Sequence, residues 1–403
     1  MMKTTKTLIA FLLLAFTLAS CVFPTKVPTL IPVTPVPPTA TTPAGLTDYS
    51  SGAYLDDRST PAALVLSYVN AINSHHFVRA YSYWDAPEAV IGTLDAFTTA
   101  TEAIASEAVT LGAVSSEGAA GSIYYTVPAA VTDTLSGGGT NKYSTCFVLR
   151  LPQPGNYGAP PITPMHITGN TTITPVDAAT PDADIVASAC SGQAGSPAGD
   201  PALEDLSNIS AENYIDNRSG PVEVVKSLIN AINRHEFVRA YSYYEAPSIF
   251  PGSYPFYETG LDDTDVITSA VFGPVNSDAG AGQYYYQVPV AEYITEADAS
   301  EHLYIGCYNL HLANPSFQGT LPFRPMAITT EEMTEYLITV DVTPILAAIC
   351  SPYPTSTPHP TATWTPAPVK TDPCNQYSMD VCEKDHWAVC YWDRYTSKCE
   401  SKP

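Results

Sequence analysis

The 403-residue chain reads as α+β: two tandem helix-on-antiparallel-sheet domains and a small disulfide-rich module, strung on Pro/Thr linkers. Three observations lead there. A long phrase is written twice, 160 residues apart. Within each copy, helical periodicity comes first and strand-like alternation after it. The 37 Pro, well above average usage, mark part of the chain as linker. Charge narrows the function: 17 Lys+Arg against 40 Asp+Glu give a net −23, which nearly excludes a nucleic-acid binder, since that class needs a basic face to neutralise phosphates.

In chain order, Lys3 and Lys6 precede an apolar run over 8–16 and then Leu18-Ala19-Ser20-Cys21. A charged start, a short apolar stretch and small residues make a secretory signal peptide over 1–20; the apolar part falls short of the ~20 residues of a membrane span. The Leu-Ala-Ser-Cys end resembles the lipobox of bacterial lipoproteins. That resemblance implies cleavage before Cys21, diacylation of its thiol and usually acylation of the new N-terminus, palmitate being a typical chain. The protein would then sit on a bacterial cell membrane, lipid-anchored and facing the extracytoplasmic side. Each buried methylene contributes about 0.8 kcal/mol, so two or three chains hold firmly. Residues 1–20 carry two Lys and no acid, so their loss takes the charge from −23 to −25. Such a chain repels anionic headgroups and depends on its acyl chains for attachment. Residues 21–47 form the anchor and a Pro/Thr stalk, extended at about 3.1 Å per residue where polyproline II forms.

The duplication occupies 48–190 and 207–350, with a Gly/Ala/Pro-rich linker over 191–206. Asn70-Ala71-Ile72-Asn73, His75 and Phe77-Val78-Arg79-Ala80-Tyr81-Ser82-Tyr83 return at Asn230 to Asn233, His235 and Phe237 to Tyr243. Further on, Tyr124-Tyr125, Val127-Pro128 and Cys146 return 161 residues later. A register held over about 130 residues means a duplicated domain, not a short solenoid repeat.

Each copy opens on a helix. Ser59-Thr60 and Ser219-Gly220 offer caps, and Pro61 and Pro221 occupy the first helical position. Val222, Val225, Leu228, Ile229 and Ile232 share one face. An Asn-x-His break and a second short helix over 237–244 follow. Strands are expected over 122–130, 143–151 and, more weakly, 165–176. Tyr125 and Val127 share a face, as do Tyr143, Phe147, Leu149 and Leu151.

This order, with helices ending in Ala-Tyr-Ser-Tyr ahead of a curved sheet, resembles the cystatin-like α+β cone of nuclear-transport-factor-like and ketosteroid-isomerase-like proteins. The resemblance covers both copies and implies a concave pocket that some relatives use for catalysis and many for binding. Fold alone does not give function.

Nine Cys become eight once Cys21 is set aside as the lipidation site. In an exported protein the repeat-related Cys146, Cys190, Cys307 and Cys350 read as disulfides, and Cys146–Cys190 with Cys307–Cys350 keep each domain self-contained. After a Pro/Thr linker over 351–372, the module at 373–400 carries Cys374, Cys382, Cys390 and Cys399 with Trp387, Tyr391 and Trp392. So short a segment needs two disulfides as staples, their connectivity open. Zinc is disfavoured, because the close Cys-x-x-Cys knuckles are missing.

Chemistry is sparse. His75-His76 and His235-Glu236 are adjacent pairs and so poor chelates; His75 and His235 are expected to bond a free helix-end carbonyl. Arg79 and Arg239 are expected to pair with Asp57 and with an acid near Asn217, or to clamp an anion in the pocket. Tyr125 and Tyr286, with Tyr81 and Tyr241, either line the cone or pack as core. His166, whose counterpart is Ala327, reads as an exposed chance residue, and Gly137-Gly138-Gly139 as a hairpin tip. Nucleophile, zinc-protease and phosphate-loop motifs are missing, and no acid pair can be assigned, so no catalytic residue, metal or cofactor is expected. The expectation is a lipid-anchored, non-enzymatic binding or adhesion protein touching cell-wall glycan, peptide or a surface protein, with Trp387 and Trp392 as contacts or as core. The alternatives are an enzyme or small-molecule carrier using the cone pocket, and a ligand-free spacer. An open pocket holding convergent polar groups with unduplicated His or Asp would favour the carrier or enzyme, whereas a filled cone would favour the adhesion protein.

Overall fold

A computed structural model describes residues 53–193, 196–197, 209–261, 266–296, 298–350, 390–393 and 398–401. The expected signal peptide, stalk and 351–372 linker, with Cys21, Cys374, Cys382 and Trp387, lie outside the described residues.

In the first half, α1 (Pro61–Asn73) starts where the Thr60 hydroxyl accepts from the Ala63 N–H at 3.1 Å. It turns Leu64, Val65, Val69 and Ile72 inward, each at most 1% exposed. The helix ends with His75 in the left-handed region, φ 55°; the His75 N–H donates to Ile72 O and the His76 N–H to Ala71 O, both at 2.9 Å. This is a Schellman closure. Sequence reasoning assigned the carbonyl bond to the His75 side chain; the backbone makes it instead, and the ring lies against Phe77. Three short helices follow, α2 (Phe77–Tyr81), α3 (Pro87–Ile91) and α4 (Leu94–Thr101).

The sheet comprises β1 (Ile104–Leu111), β2 (Ser115–Ala119), β3 (Ser122–Leu135), β4 (Thr140–Pro152), β5 (His166–Ile167), β6 (Thr172–Val176), then α5 (Asp182–Ser188) and the short β7 (Ser196–Pro197). All pairings are antiparallel. β3 and β4 form the central hairpin, its turn closed by Gly138 and Gly139 at positive φ; β1 and β2 flank β3, β5 and β6 flank β4, and β7 extends β2. The expected strand over 165–176 is therefore two pieces. β1 and β2 escaped sequence reasoning because their Ser, Glu, Ala and Thr are mostly exposed or half-buried, which weakens the alternation.

The second half repeats the plan with α6 (Pro221–Asn233), α7 (Phe237–Tyr241), α8 (Tyr254–Gly260), β8 (Val266–Phe272), β9 (Asn276–Gly280), β10 (Gln283–Thr295), β11 (Glu301–Ala313), β12 (Ala327–Tyr336) and α9 (Val342–Leu346). Period two divides the sheet's faces. Val288, Val290, Tyr308, Leu310 and Leu312 meet the helices, whereas Ala291, Leu303 and Ile305 meet Leu346 of α9 on the back. Cys307–Cys350 ties the α9 segment to β11, and Cys146–Cys190 ties the α5 segment to β4. Beyond the halves, β13 (Cys390–Asp393) pairs with β14 (Lys398–Ser401), setting Trp392 opposite Cys399.

The halves clasp each other reciprocally. Arg58 N–H donates to Asp216 O at 2.7 Å and Arg218 N–H to Asp56 O at 2.6 Å. Asp56 N–H donates to Ser219 Oγ and Asp216 N–H to Ser59 Oγ, both at 2.9 Å. At the centre Asn217 Nδ2 donates to Asp57 Oδ2 at 3.2 Å. Tyr54 packs against the second half's core and Tyr214 against the first's.

Candidate functional site

Along β10 the helix-facing stripe runs Val288, Val290, Glu292, Ile294, so one acid stands where the pattern asks for an apolar residue. Glu292 is 5% exposed. Register sets it opposite Tyr304 of β11, and sets Glu331 of β12 opposite Tyr308 on the other side of the same strand. The helices do not fill the space above these residues. A cavity of about 390 Å³ remains, within the usual range for small ligands. Leu228 and Ile232 of α6, Leu261, Ile267, Ile294 and Met333 make its apolar wall; its ionisable lining is Tyr244, Tyr257, Glu292, Glu296, Tyr304, Tyr308 and Glu331. Among the described residues no Lys, Arg or His lines it.

Glu292 Oε1 accepts from Tyr308 Oη at 3.1 Å, and Glu331 Oε2 from Tyr244 Oη at 2.8 Å. Burial, then the charge of Glu331, pushes Glu292 up to about 8. Burial raises Glu331 as well, against the hydrogen bond from Tyr244. At neutral pH Glu292 is mostly the neutral acid. Tyr257 Oη is buried beside the Tyr244 hydroxyl, and among the described residues no group meets it at hydrogen-bond geometry. Glu296 stands half exposed and pairs with His302 Nε2 at 3.3 Å.

The first half is built otherwise. Trp84, Phe97, Val131 and Phe147 occupy the positions of Tyr244, Tyr257, Glu292 and Tyr308, with Trp84 and Phe147 both edge-on to Tyr68. Its own acids, Glu107 and Asp133, are cross-strand partners whose carboxyl groups are both raised by burial and share a hydrogen bond. Other hollows, of about 580 Å³ beside β2 and about 540 Å³ between the halves, are larger and more polar.

The residues named from sequence do not assemble into this site. Tyr125 packs at the edge of the first core, and Tyr286 lines the groove between the halves. Tyr81 and Tyr241 are core residues whose hydroxyls donate to Gly92 O and Gly252 O. His166 is buried rather than exposed: β5 holds it against β4, with Nδ1 at 2.9 Å from Pro164 O and Nε2 at 3.6 Å from Asp85. Arg79 does not meet Asp57, whose carboxylate is taken by the Ser59 N–H and Asn217; it donates to Leu55 O and Asn70 Oδ1. Arg239 pairs with Glu236, three residues before it, not with an acid near Asn217. Glu292 carried a usable signal, an acid on a buried stripe. Glu331 carried none, since polar residues surround it in β12.

Among the described residues no three His, Cys, Asp or Glu converge to hold a metal, and no helix is long and apolar enough to cross a membrane. No protein-family model matches the chain, and no curated protein or solved structure matches it.

Proposed function

We propose that this protein is a lipid-anchored, extracytoplasmic small-molecule carrier in which the second of two tandem nuclear-transport-factor-like cones holds the ligand. Cys21 is the anchor, and the Pro/Thr stalk carries the paired cones away from a bacterial membrane. One observation carries the choice of carrier over adhesion: the second copy keeps a cavity with Glu292, Tyr308, Tyr244 and Tyr257 where the first has Val131, Phe147, Trp84 and Phe97. Duplication supplied two copies of one framework; the exchange of four apolar or aromatic residues for polar ones supports binding in the second alone. A non-catalytic role is supported because both carboxyl groups are engaged by tyrosine hydroxyls and the chain lacks nucleophile motifs.

A thermal-shift screen of the full chain against small solutes tests this. Binders are expected to raise the melting temperature of the parent protein and not of Leu261→Trp, which blocks the cavity wall. Equal shifts in the two proteins would move the ligand site elsewhere. Anchoring has a separate readout, since Cys21→Ala should transfer the protein from the detergent phase to the aqueous phase.

A further inference from the structure

We propose that the second-half cavity is a receptor for a compact organic cation, an amine or quaternary ammonium group lodged between Glu292 and Glu331 against the tyrosines. The inference rests on the carrier reading and names its ligand class. Among the described residues every formally charged side chain that lines the cavity is acidic: Glu292, Glu331 and, half exposed, Glu296. Glu296 lies 3.3 Å from His302 Nε2, and Glu335 shares that histidine; among the described residues, buried Glu292 and half-buried Glu331 accept hydrogen bonds from tyrosine hydroxyls and pair with no cation. A buried carboxylate without a cation is costly, and it escapes that cost by holding a proton. The raised titration of Glu292 reports that escape. A ligand cation would replace the proton as the balancing charge.

Three further observations select an organic cation. Among the described residues Tyr257 Oη meets no partner at hydrogen-bond geometry, the Tyr244 hydroxyl being its polar neighbour, so a polar group of the ligand has a buried donor or acceptor to meet. Tyrosine rings on several walls offer cation–π contact, worth about 2 kcal/mol when desolvated. The described residues bring no three metal-type ligands together, and a 390 Å³ space is far larger than a bare ion needs. The net charge of −23 also concentrates cations around the protein.

Titration calorimetry on the full chain tests the assignment with choline, tetramethylammonium and spermidine, with 3,3-dimethylbutanol as the neutral carbon isostere of choline, and with calcium. At least one of the ammonium probes should bind, and choline should bind at least tenfold more tightly than its isostere. Glu331→Gln should lose tenfold or more, and Glu292→Gln should abolish the proton release that differs between buffers at pH 7. Affinity should rise from pH 6 to pH 8 as Glu292 gives up its proton more readily. If the isostere binds as well as choline, the cation assignment falls while the carrier reading stands. Calcium binding alone would overturn it in favour of a metal site. If no probe binds and Leu261→Trp changes no ligand shift, both readings fall together.

Discussion

Glu292 ties stability to pH through a single buried carboxyl group. Unfolded, it titrates near 4.5; folded, near 8, because burial and Glu331 disfavour its charge. The folded state therefore holds the proton more tightly. Its contribution to stability is complete below about pH 4.5 and is lost as pH climbs through 8. A shift of this size corresponds to roughly 4–5 kcal/mol at most. Glu292→Gln keeps an acceptor for Tyr308 and removes the titration. In urea unfolding the variant should match the parent near pH 4.5 and exceed it by roughly 2–4 kcal/mol at pH 8; a difference independent of pH would refute this account. A second residue-scale asymmetry concerns the buried arginines. Glu236 accepts from Arg239 Nε in the second half, whereas its counterpart His76 leaves Arg79 Nε without a hydrogen-bond partner among the described residues. His76 is itself pushed down to about 4, chiefly by burial and then by Arg79. His76→Glu should raise stability at pH 7 by about 1–3 kcal/mol, and Glu236→Gln should cost about 3 kcal/mol. Opposite signs in chemical denaturation are the check.

At the scale of elements, what was legible depended on how much apolar surface a segment buries. α1 and α6, the β3–β4 and β10–β11 hairpins and the faces of Tyr125, Val127, Phe147 and Leu149 followed from periodicity, because those stripes are continuous. β1, β2, β8 and β9 were not read, since they lie beside the central hairpins and carry few buried residues. The back layer was visible only through its cysteines: repeat position pointed to Cys307–Cys350 and Cys146–Cys190, while the short α5 and α9 give too little pattern to find. The cavity was legible in one residue, the acid interrupting Val288, Val290 and Ile294; the remaining walls come from five other elements whose convergence no local pattern encodes. The back layer also carries a prediction. A bridge closing a 43-residue separation contributes roughly 4 kcal/mol. Cys307→Ser with Cys350→Ser should lower stability by about that much and speed amide exchange first in α9, whose hold on the sheet is Leu346 against Ala291, Leu303 and Ile305. Faster exchange spread evenly over β10 and β11 would mean that the bridge supports the sheet itself.

Across the described molecule the two copies are bound by more than the chain between them. The segment Asp56-Asp57-Arg58-Ser59 meets Asp216-Asn217-Arg218-Ser219 through four hydrogen bonds arranged reciprocally, and Asp56 and Asp216 also accept from the core tyrosines Tyr83 and Tyr243. Arg58 and Arg218 lie over the rings of those same tyrosines at 4.5 and 4.4 Å and donate onward to Met165 O and Met326 O. The clasp therefore connects the core of each half to the backbone of the other. Asp57 and Asn217 differ at the centre of an otherwise matched pair, and the difference is functional in the bond: an amide donates to a carboxylate where two aspartates would repel. Elements coupled in this way unfold cooperatively when the coupling is a large fraction of each half's own stability. Calorimetry of the full chain should accordingly show the two halves melting in one transition. Ser59→Ala with Ser219→Ala removes two of the reciprocal bonds and leaves two buried N–H groups unpaired, at about 1–3 kcal/mol each. The double variant should separate the melt into two transitions, the first half retaining the higher one because its core is filled by Trp84, Phe97 and Phe147 where the second keeps a cavity. A cation that fills that cavity should then raise the lower transition alone; two transitions already present in the parent protein would show that the clasp orients the halves without coupling them.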